Sequence, residues 1–262
     1  MAIITLLSDF DLQDGYVAAM KGAIATLAPD ARIIDITHRI PRQDVAAARF
    51  QLLTTCPYFP AGTIHVAVVD PGVGTRRRAI ALRTATATFV GPDNGLFGGV
   101  LAGGVLAAVE LGERRFWRTE NPSTTFHGRD IFAPVAAHLA SGVGLEQLGP
   151  SIDPQTLVEL ELPDWSPSAD GGSGVIQAID HFGNLITNIP AQATAARSWR
   201  LTVGEHELRA VTTYGEGELG EAVALVGSHG FIEIAVSGGS AAAMLALRPG
   251  DPVEFVWQEA EP

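Results

Sequence analysis

Residues 2–7, Ala-Ile-Ile-Thr-Leu-Leu, run directly into the polar octet Ser8-Asp9-Phe10-Asp11-Leu12-Gln13-Asp14-Gly15, and this junction decides the class of fold. A short apolar run without polar alternation reads as a strand buried on both faces, as in a parallel sheet covered by helices. The octet is then the turn at the strand's carboxyl end. Tyr16, Met20, Ile24 and Leu27 follow near four-residue spacing on one helix face until Pro29. Outward from this unit the alternation of strand and helix continues. Strands are predicted at Arg32 to Ile36, Thr63 to Val69 and Arg78 to Arg83. One helix is predicted to open at Asp44 and stop at Pro57. Another opens near Asp130, carries Pro134 in its first turn where a missing amide is tolerated, and stops at Gly142.

Between Pro150 and Gly174 the composition shifts to proline, serine and glycine, which marks a domain boundary. The division is placed at residues 1–165 for the first domain, 166–173 for a linker and 174–262 for the second domain. Past the boundary the runs GVIQAID, WRLTVGEHELRAVTT, EAVALVG and GFIEIAV are short, β-branched and separated by glycine turns. The expected architecture is therefore an α/β N-terminal domain with a mostly parallel sheet flanked by helices, plus a smaller all-β, barrel-like or sandwich C-terminal domain.

The chain has 262 residues, with 29 acidic and 17 basic side chains and a formal net charge of -12, which argues against nucleic acid or an anionic membrane as the main partner. Hydrophobic residues make up 47% and charged ones 18%, ample for one large core or two small ones. Cys56 is the only cysteine, so neither an internal disulfide nor a multi-thiolate metal site is available. The first apolar run is broken at Ser8 and Asp9, too early for a signal peptide or a membrane span, and a cytoplasmic setting is expected. Sixteen arginines stand against the single Lys21, so lysine-based covalent chemistry would rest on that residue alone.

Ligands of open parallel sheets bind beyond the carboxyl ends of the strands. The polar segments with that placement are Ser8 to Gly15, the stretch Asp70-Pro71-Gly72-Val73-Gly74-Thr75-Arg76-Arg77-Arg78, and Gly91-Pro92-Asp93-Asn94-Gly95. A fourth candidate leads into a helix: Thr124-Thr125-Phe126-His127-Gly128-Arg129-Asp130. Each has a plainer alternative. Asp9 or Asp14 could cap the first helix, Asp93 and Asn94 could form an ordinary turn, the arginines could be a solvated stripe, and His127 could be a satisfied core histidine.

Asp9-Phe10-Asp11 after an apolar strand is reminiscent of aspartyl-phosphate phosphatases, but Gln13 stands where that motif has Thr or Val. His38, His65 and His127 lack the helix-spaced or His-x-His pattern of a metal site, and no metal is expected. No Gly-x-Ser-x-Gly elbow and no phosphate loop with Lys-Ser or Lys-Thr occurs, which removes serine-hydrolase and nucleoside-triphosphatase chemistry.

Seven ordered segments together resemble the S-adenosylmethionine hydroxide adenosyltransferase family, relatives of the bacterial fluorinase and chlorinase. They are SDFDLQDGYVAAMKGAI, IIDITHRIPRQDVAAARFQL, YFPAGTIHVAVVDPGVGTRRR, GPDNGLF, TFHGRD, IDHFGNLITNI and GSHGFIEIAVSGGSAA, and they span nearly the whole chain. The resemblance implies a homotrimer whose ligand lies between the N-terminal domain of one subunit and the C-terminal domain of the next. It implies hydrolysis of S-adenosylmethionine to adenosine and methionine without metal or organic cofactor, marked by an Asp-Arg-His triad matched here by Asp70, Arg77 and His127. By the same resemblance Asp9 matches the ribose-binding carboxylate, Asp180 the acid holding the methionine ammonium and Ser228 a contact to its carboxylate. Asn184 matches an adenine contact, and Phe126 and Phe182 offer apolar faces for base and ribose. Gly128 stands where the fluorinase has serine and the chlorinase also has glycine, and Gln43 where the fluorinase has tryptophan. His229, beside Ser228, is a further departure. The alternatives are a halide-using adenosyltransferase of the same fold and a non-catalytic adenosine or S-adenosylmethionine binder.

A sulfonium is already a good leaving group, so the demand falls on the nucleophile, since bulk water has a pKa of about 15.7. A guanidinium can stabilise charge developing on the water, while a carboxylate or imidazole orients it and takes its proton.

Overall fold

The computed structural model describes residues 1–194 and 198–258, and the chain divides between Leu160 and Glu161 into two compact units. In the first unit the elements are β1 (Ile3–Ser8), α1 (Tyr16–Leu27), β2 (Arg32–Thr37), α2 (Val45–Thr55), β3 (Thr63–Val68), β4 (Ala79–Arg83) and β5 (Ala87–Pro92). They are followed by α3 (Gly98–Leu101), β6 (Ala107–Glu110) and α4 (Ala133–Ala140). The strands form one sheet in the order β2-β1-β3-β5-β4-β6. β2, β1, β3 and β5 are parallel, whereas β4 runs antiparallel to both β5 and β6. The expectation of parallel strands therefore fails at Ala79–Arg83. Only three residues separate β4 from β5, room for a hairpin but not for a crossover helix.

Every residue of β3 is buried. Its alternate side chains feed two cores. Ile64, Val66 and Val68 pack with Met20, Ile24, Phe132 and Val135, from the side of α1 and α4. Ala67 and Val69 pack with Ala48, Leu52 and Phe97, from the side of α2. The helices obey their sequence signals. Asp44 caps α2 by accepting from the Ala47 amide, and Pro134 sits in the first turn of α4. Immediately before α4 one π-helical turn spans Gly128–Phe132.

The second unit holds β7 (Ser166–Ser168), β8 (Gly171–Ile179), β9 (Leu185–Pro190), β10 (Trp199–Val203), β11 (His206–Arg209), β12 (Ala222–Val226), β13 (Phe231–Val236), α5 (Ala241–Leu245) and β14 (Pro252–Trp257). These strands form an antiparallel sheet ordered β11-β10-β14-β8-β9-β13-β12, with β7 on β8. A bridge between Ala210 and Ala224 brings its two ends together, so the sheet is nearly a closed barrel. Ile176, Leu185, Leu201, Ile232, Ile234 and Phe255 fill it.

The segment 166–173 is not a linker. Ser166–Ser168 pairs with Gly171–Ser173, and the chain has already entered the second unit at Glu161. Its glycines serve close approach: a Cβ on Gly171 would stand 1.9 Å from the Phe255 carbonyl oxygen. Composition alone does not separate that use of glycine from a flexible one.

Candidate active site

Strands β1 and β3 are neighbours, so the residues leaving their carboxyl ends, Ser8-Asp9-Phe10 and Asp70-Pro71, arrive side by side. A cavity of about 380 Å³ opens there, and Asp9, Phe10, Asp70, Phe126, His127 and Gly128 all line it. Tyr16, Arg42 and Gln43 line it as well. Tyr16, read from sequence as part of the helix's core face, instead closes an aromatic group: its ring centroid is 5.8 Å from that of Phe10 and 5.1 Å from that of Phe126.

Asp70, Arg77 and His127 are in direct contact. Arg77 Nε donates to both carboxylate oxygens of Asp70, at 2.9 and 3.1 Å, and Nη2 also donates to Oδ2. The same Nη2 lies 2.9 Å from Nδ1 of His127. The guanidinium stacks 5.3 Å from the ring centroid of Phe132, and its side chain is only 10% exposed. Burial pushes the His127 pKa down and the Arg77 charge adds to this, opposed by the carboxylates of Asp70 and Asp130. A guanidinium has no lone pair to accept with, so His127 Nδ1 is the acceptor and the ring proton sits on Nε2.

Turn chemistry brings Arg77 back onto Asp70 across seven residues. The Val73 amide donates to the Asp70 carbonyl and the Thr75 hydroxyl to the Gly72 carbonyl. Gly74 adopts φ +75°, and a Cβ there would lie 2.2 Å from the Thr124 carbonyl oxygen, so this turn rests against the segment carrying His127. That segment is anchored by Asp130, which is fully buried. Its carboxylate accepts from Arg118 Nε at 2.6 Å, Arg129 Nε at 2.7 Å and the Ser123 amide at 2.9 Å. Burial would raise its pKa, but the two arginines and the amide hold it well below the usual carboxylate range.

The three consecutive arginines separate by role. Arg76 is exposed, Arg77 enters the triad, and Arg78 donates through Nε to Asp93 Oδ2 at 2.7 Å. Asp93 also accepts from the Val158 amide, and Asn94 Nδ2 donates to the Val69 carbonyl at 2.8 Å. The Gly91–Gly95 segment therefore buttresses the loop beside Asp70 and does not itself line the cavity. The helix-capping reading also fails: Gly15 is the N-cap of α1, with no side-chain bond, and Asp9 Oδ2 instead accepts from the Gln43 amide at 2.8 Å.

His38, His65 and His127 do not share a site: their ring nitrogens bond Ser8, Thr5 and Arg77 respectively. Among the described residues no group of three or more His, Cys, Asp or Glu side chains is placed to hold a metal ion. Nor is any described helix long and apolar enough to cross a membrane.

In the second unit Asp180, Phe182 and Asn184 share the turn between β8 and β9. Asp180 Oδ1 accepts from the amides of Phe182 and Asn184, at 2.9 and 2.8 Å, and Oδ2 from Asn184 Nδ2 at 2.9 Å. Phe182 is 73% exposed. Ser228 lies in the β12–β13 turn. There Phe231 pairs with Pro190 while Ile234 pairs with Leu185, so the register sets Ser228 at the opposite end of β9 from the Asp180 turn. Beside it, His229 Nε2 lies 2.9 Å from the buried Glu233 carboxylate, which also takes the Tyr214 hydroxyl.

A doubly covered α/β sheet with two carboxylates at adjacent strand ends, one bonded to an arginine that also reaches a histidine, joined to an antiparallel barrel, defines a two-domain class of small-molecule enzyme. The chain belongs to the SAM hydroxide adenosyltransferase family: residues 4–149 match the model of its N-terminal domain and residues 174–254 that of its C-terminal domain. It is 46% identical to the (R)-S-adenosyl-L-methionine hydrolase of Salinispora tropica, over 95% of each chain. The fluorinase of Nocardia brasiliensis is more distant, at 31% identity over 96% of each. The crystal structure of an uncharacterized conserved protein from Thermotoga maritima superposes with a TM-score of 0.90 at 37% identity, covering 97% of this chain and 99% of that one.

Proposed function

We propose that this protein hydrolyses S-adenosyl-L-methionine to adenosine and L-methionine by in-line attack of water on the 5′ carbon. The C5′–O bond forms as the C5′–S bond breaks, the sulfonium leaves as a neutral thioether, and one proton is released. The observation carrying this reading is the contact of Arg77 with both Asp70 and His127, two residues that line the same cavity as Asp9.

Roles follow from the donor inventory. Arg77 only donates, and His127 with its proton on Nε2 presents a donor beyond the triad. Asp70 is thus the member with lone pairs for the water, and it takes the proton as attack proceeds, while the guanidinium spreads the charge. The aromatic group of Phe10, Tyr16 and Phe126 offers an apolar wall for base and ribose, and Asp9 a paired acceptor for the ribose hydroxyls. Halide use is disfavoured because an anionic nucleophile would approach the Asp70 carboxylate, and a simple binder has no need of the three linked groups.

The reading includes a cytoplasmic homotrimer that uses no metal or organic cofactor, with Asp180, Phe182, Asn184 and Ser228 supplied across subunits. The first three share the β8–β9 turn, which supports their acting together, while Ser228 lies at the other end of β9. The test is chromatography of purified protein incubated with S-adenosylmethionine in EDTA, with and without chloride. Equimolar adenosine and methionine are expected in both. A 5′-chloro nucleoside, or activity that EDTA removes and magnesium restores, overturns the reading.

A further inference from the structure

Behind the cavity a second polar chain runs through the sheet and touches none of the triad. Ser8, fully buried at the end of β1, has its Oγ 2.7 Å from Nδ1 of His38, which is itself buried just past the end of β2. His38 Nε2 lies 3.2 Å from Oδ1 of Asp35, an ion-pair distance without hydrogen-bond alignment, and Asp35 Oδ2 bonds Lys21 Nζ at 2.6 Å. Burial would raise the Asp35 pKa, but Lys21 and His38 hold it below its ordinary value. Facing that carboxylate, Nε2 carries the ring proton, so Nδ1 accepts from the Ser8 hydroxyl.

The order Ser, His, Asp resembles a nucleophile relay, but Ser8 has no exposed surface from which to attack anything. What the chain does touch is the turn around Asp9. The Phe10 amide donates to Ser8 Oγ at 3.3 Å, and the Asp11 amide donates to the His38 carbonyl at 2.8 Å. Asp11 is held at φ +56°, where a non-glycine residue needs such support. The register of β1 on β2 slips between Leu6 and Leu7, immediately ahead of this contact. Asp9 is thus bracketed on both sides by groups fixed to His38, and so is Phe10, whose ring walls the cavity.

We propose that His38 is a positioning residue for nucleoside binding, acting through Ser8 to set the Asp9–Phe10 turn at the height where the carboxylate meets the ribose hydroxyls. This rests on the hydrolase reading above. It assigns the imidazole's Ser8-facing nitrogen, not its Asp35-facing one, as the effective contact.

Two substitutions separate the ends of the ring. His38→Asn keeps an amide where Nδ1 stands and reaches Ser8 but not Asp35. His38→Gln extends to the Nε2 position and reaches Asp35 but not Ser8. Adenosine affinity by calorimetry, KM and kcat for S-adenosylmethionine, and thermal melting are measured for both, with Ser8→Ala alongside. Losing one neutral hydrogen bond corresponds to about three- to tenfold weaker adenosine binding. That loss, with KM raised and kcat changed less, is expected for Ser8→Ala and His38→Gln, while His38→Asn stays near wild type. Wild-type affinity in Ser8→Ala, or equal losses in His38→Asn and His38→Gln at matched melting temperature, overturns the assignment. If wild-type protein itself releases no adenosine, the hydrolase reading fails instead, and the adenosine titration identifies that case separately.

Discussion

Arg77 Nη2 and His127 Nδ1 stand 2.9 Å apart, and the direction of that bond fixes which nitrogen of the imidazole holds the proton. Because burial and the Arg77 charge both disfavour imidazolium, His127 should titrate below the 6.5 of a free histidine. The unfolded chain binds the proton first, so this group favours the folded state above pH 6.5 and loses that contribution as pH falls toward its lowered value. Hydrolysis should be flat near neutrality and decline on the acid side. NMR titration of the His127 ring checks the midpoint, and Arg77→Ala should move it upward, since the repelling charge goes while Asp70 and Asp130 remain. An unmoved midpoint contradicts the assigned bond direction.

Asp70→Asn and Arg77→Ala should each lower single-turnover hydrolysis by roughly 10²- to 10⁴-fold, with adenosine affinity changed far less. Because both act on one water, the double variant should be little worse than either single one. Multiplicative losses would break the unit into independent residues.

Gly74→Ala tests how the triad is held together. The positive φ and the Thr124 carbonyl oxygen 2.2 Å from the added carbon leave no unstrained solution. A stability loss of about 1–3 kcal/mol is expected from the backbone conformation alone. Turnover should fall with it, since the turn carries Arg77. Denaturant unfolding with a rate assay decides it, and a neutral outcome would show that the loop adopts another path.

Gly128→Ser introduces the fluorinase residue. Its Cβ would meet Met20 Sδ at 3.1 Å, Phe126 at 3.3 Å and Phe10 at 3.4 Å, contacts that side chains can relieve by small shifts. The expected cost is about 1 kcal/mol. With Asp70 still in place, chloride and fluoride should give no halogenated product. Detection of one by mass spectrometry would place the choice of nucleophile at residue 128.

Light scattering of purified protein should give three times the chain mass, and dilution that dissociates the assembly should abolish hydrolysis. Full activity in a monomeric preparation would rule out a site completed by a neighbouring subunit.

The strand-then-turn signature of residues 2–15 made the parallel part of the sheet legible, because unbroken burial and helical spacing are local properties. The reversal at β4 was not. It depends on a hairpin with Ala87–Pro92, a strand the sequence pattern did not mark, across a three-residue connection too short for a crossover helix. Asp70 and the arginine run were legible as candidates by their place after a strand and His127 by its place ahead of a helix, yet only the family resemblance joined the three, and the run could not be resolved into Arg76, Arg77 and Arg78 by pattern alone. Ser8 and His38 each stood in the sequence separately, one in the turn after β1 and the other among histidines without metal spacing, but their pairing is a matter of neighbouring strand ends that no spaced motif encodes. Asp180 was marked only by the family resemblance. That its oxygens already hold the turn's own amides is visible only in three dimensions.

Arg78 and its bond to Asp93 bear on more than the buttress they form. Two adjacent arginines could each satisfy Asp70, and a slip of the loop by one residue would exchange them. Asp93 is buried to 3% exposure, and the exchange would strand it without a counter-charge. Breaking such a pair costs about 3–5 kcal/mol, far more than a misregistered loop could recover. Asp93 thus acts as a register lock. A carboxylate that lines no part of the cavity selects which arginine meets Asp70, and replacing it should let the chain populate two loop registers.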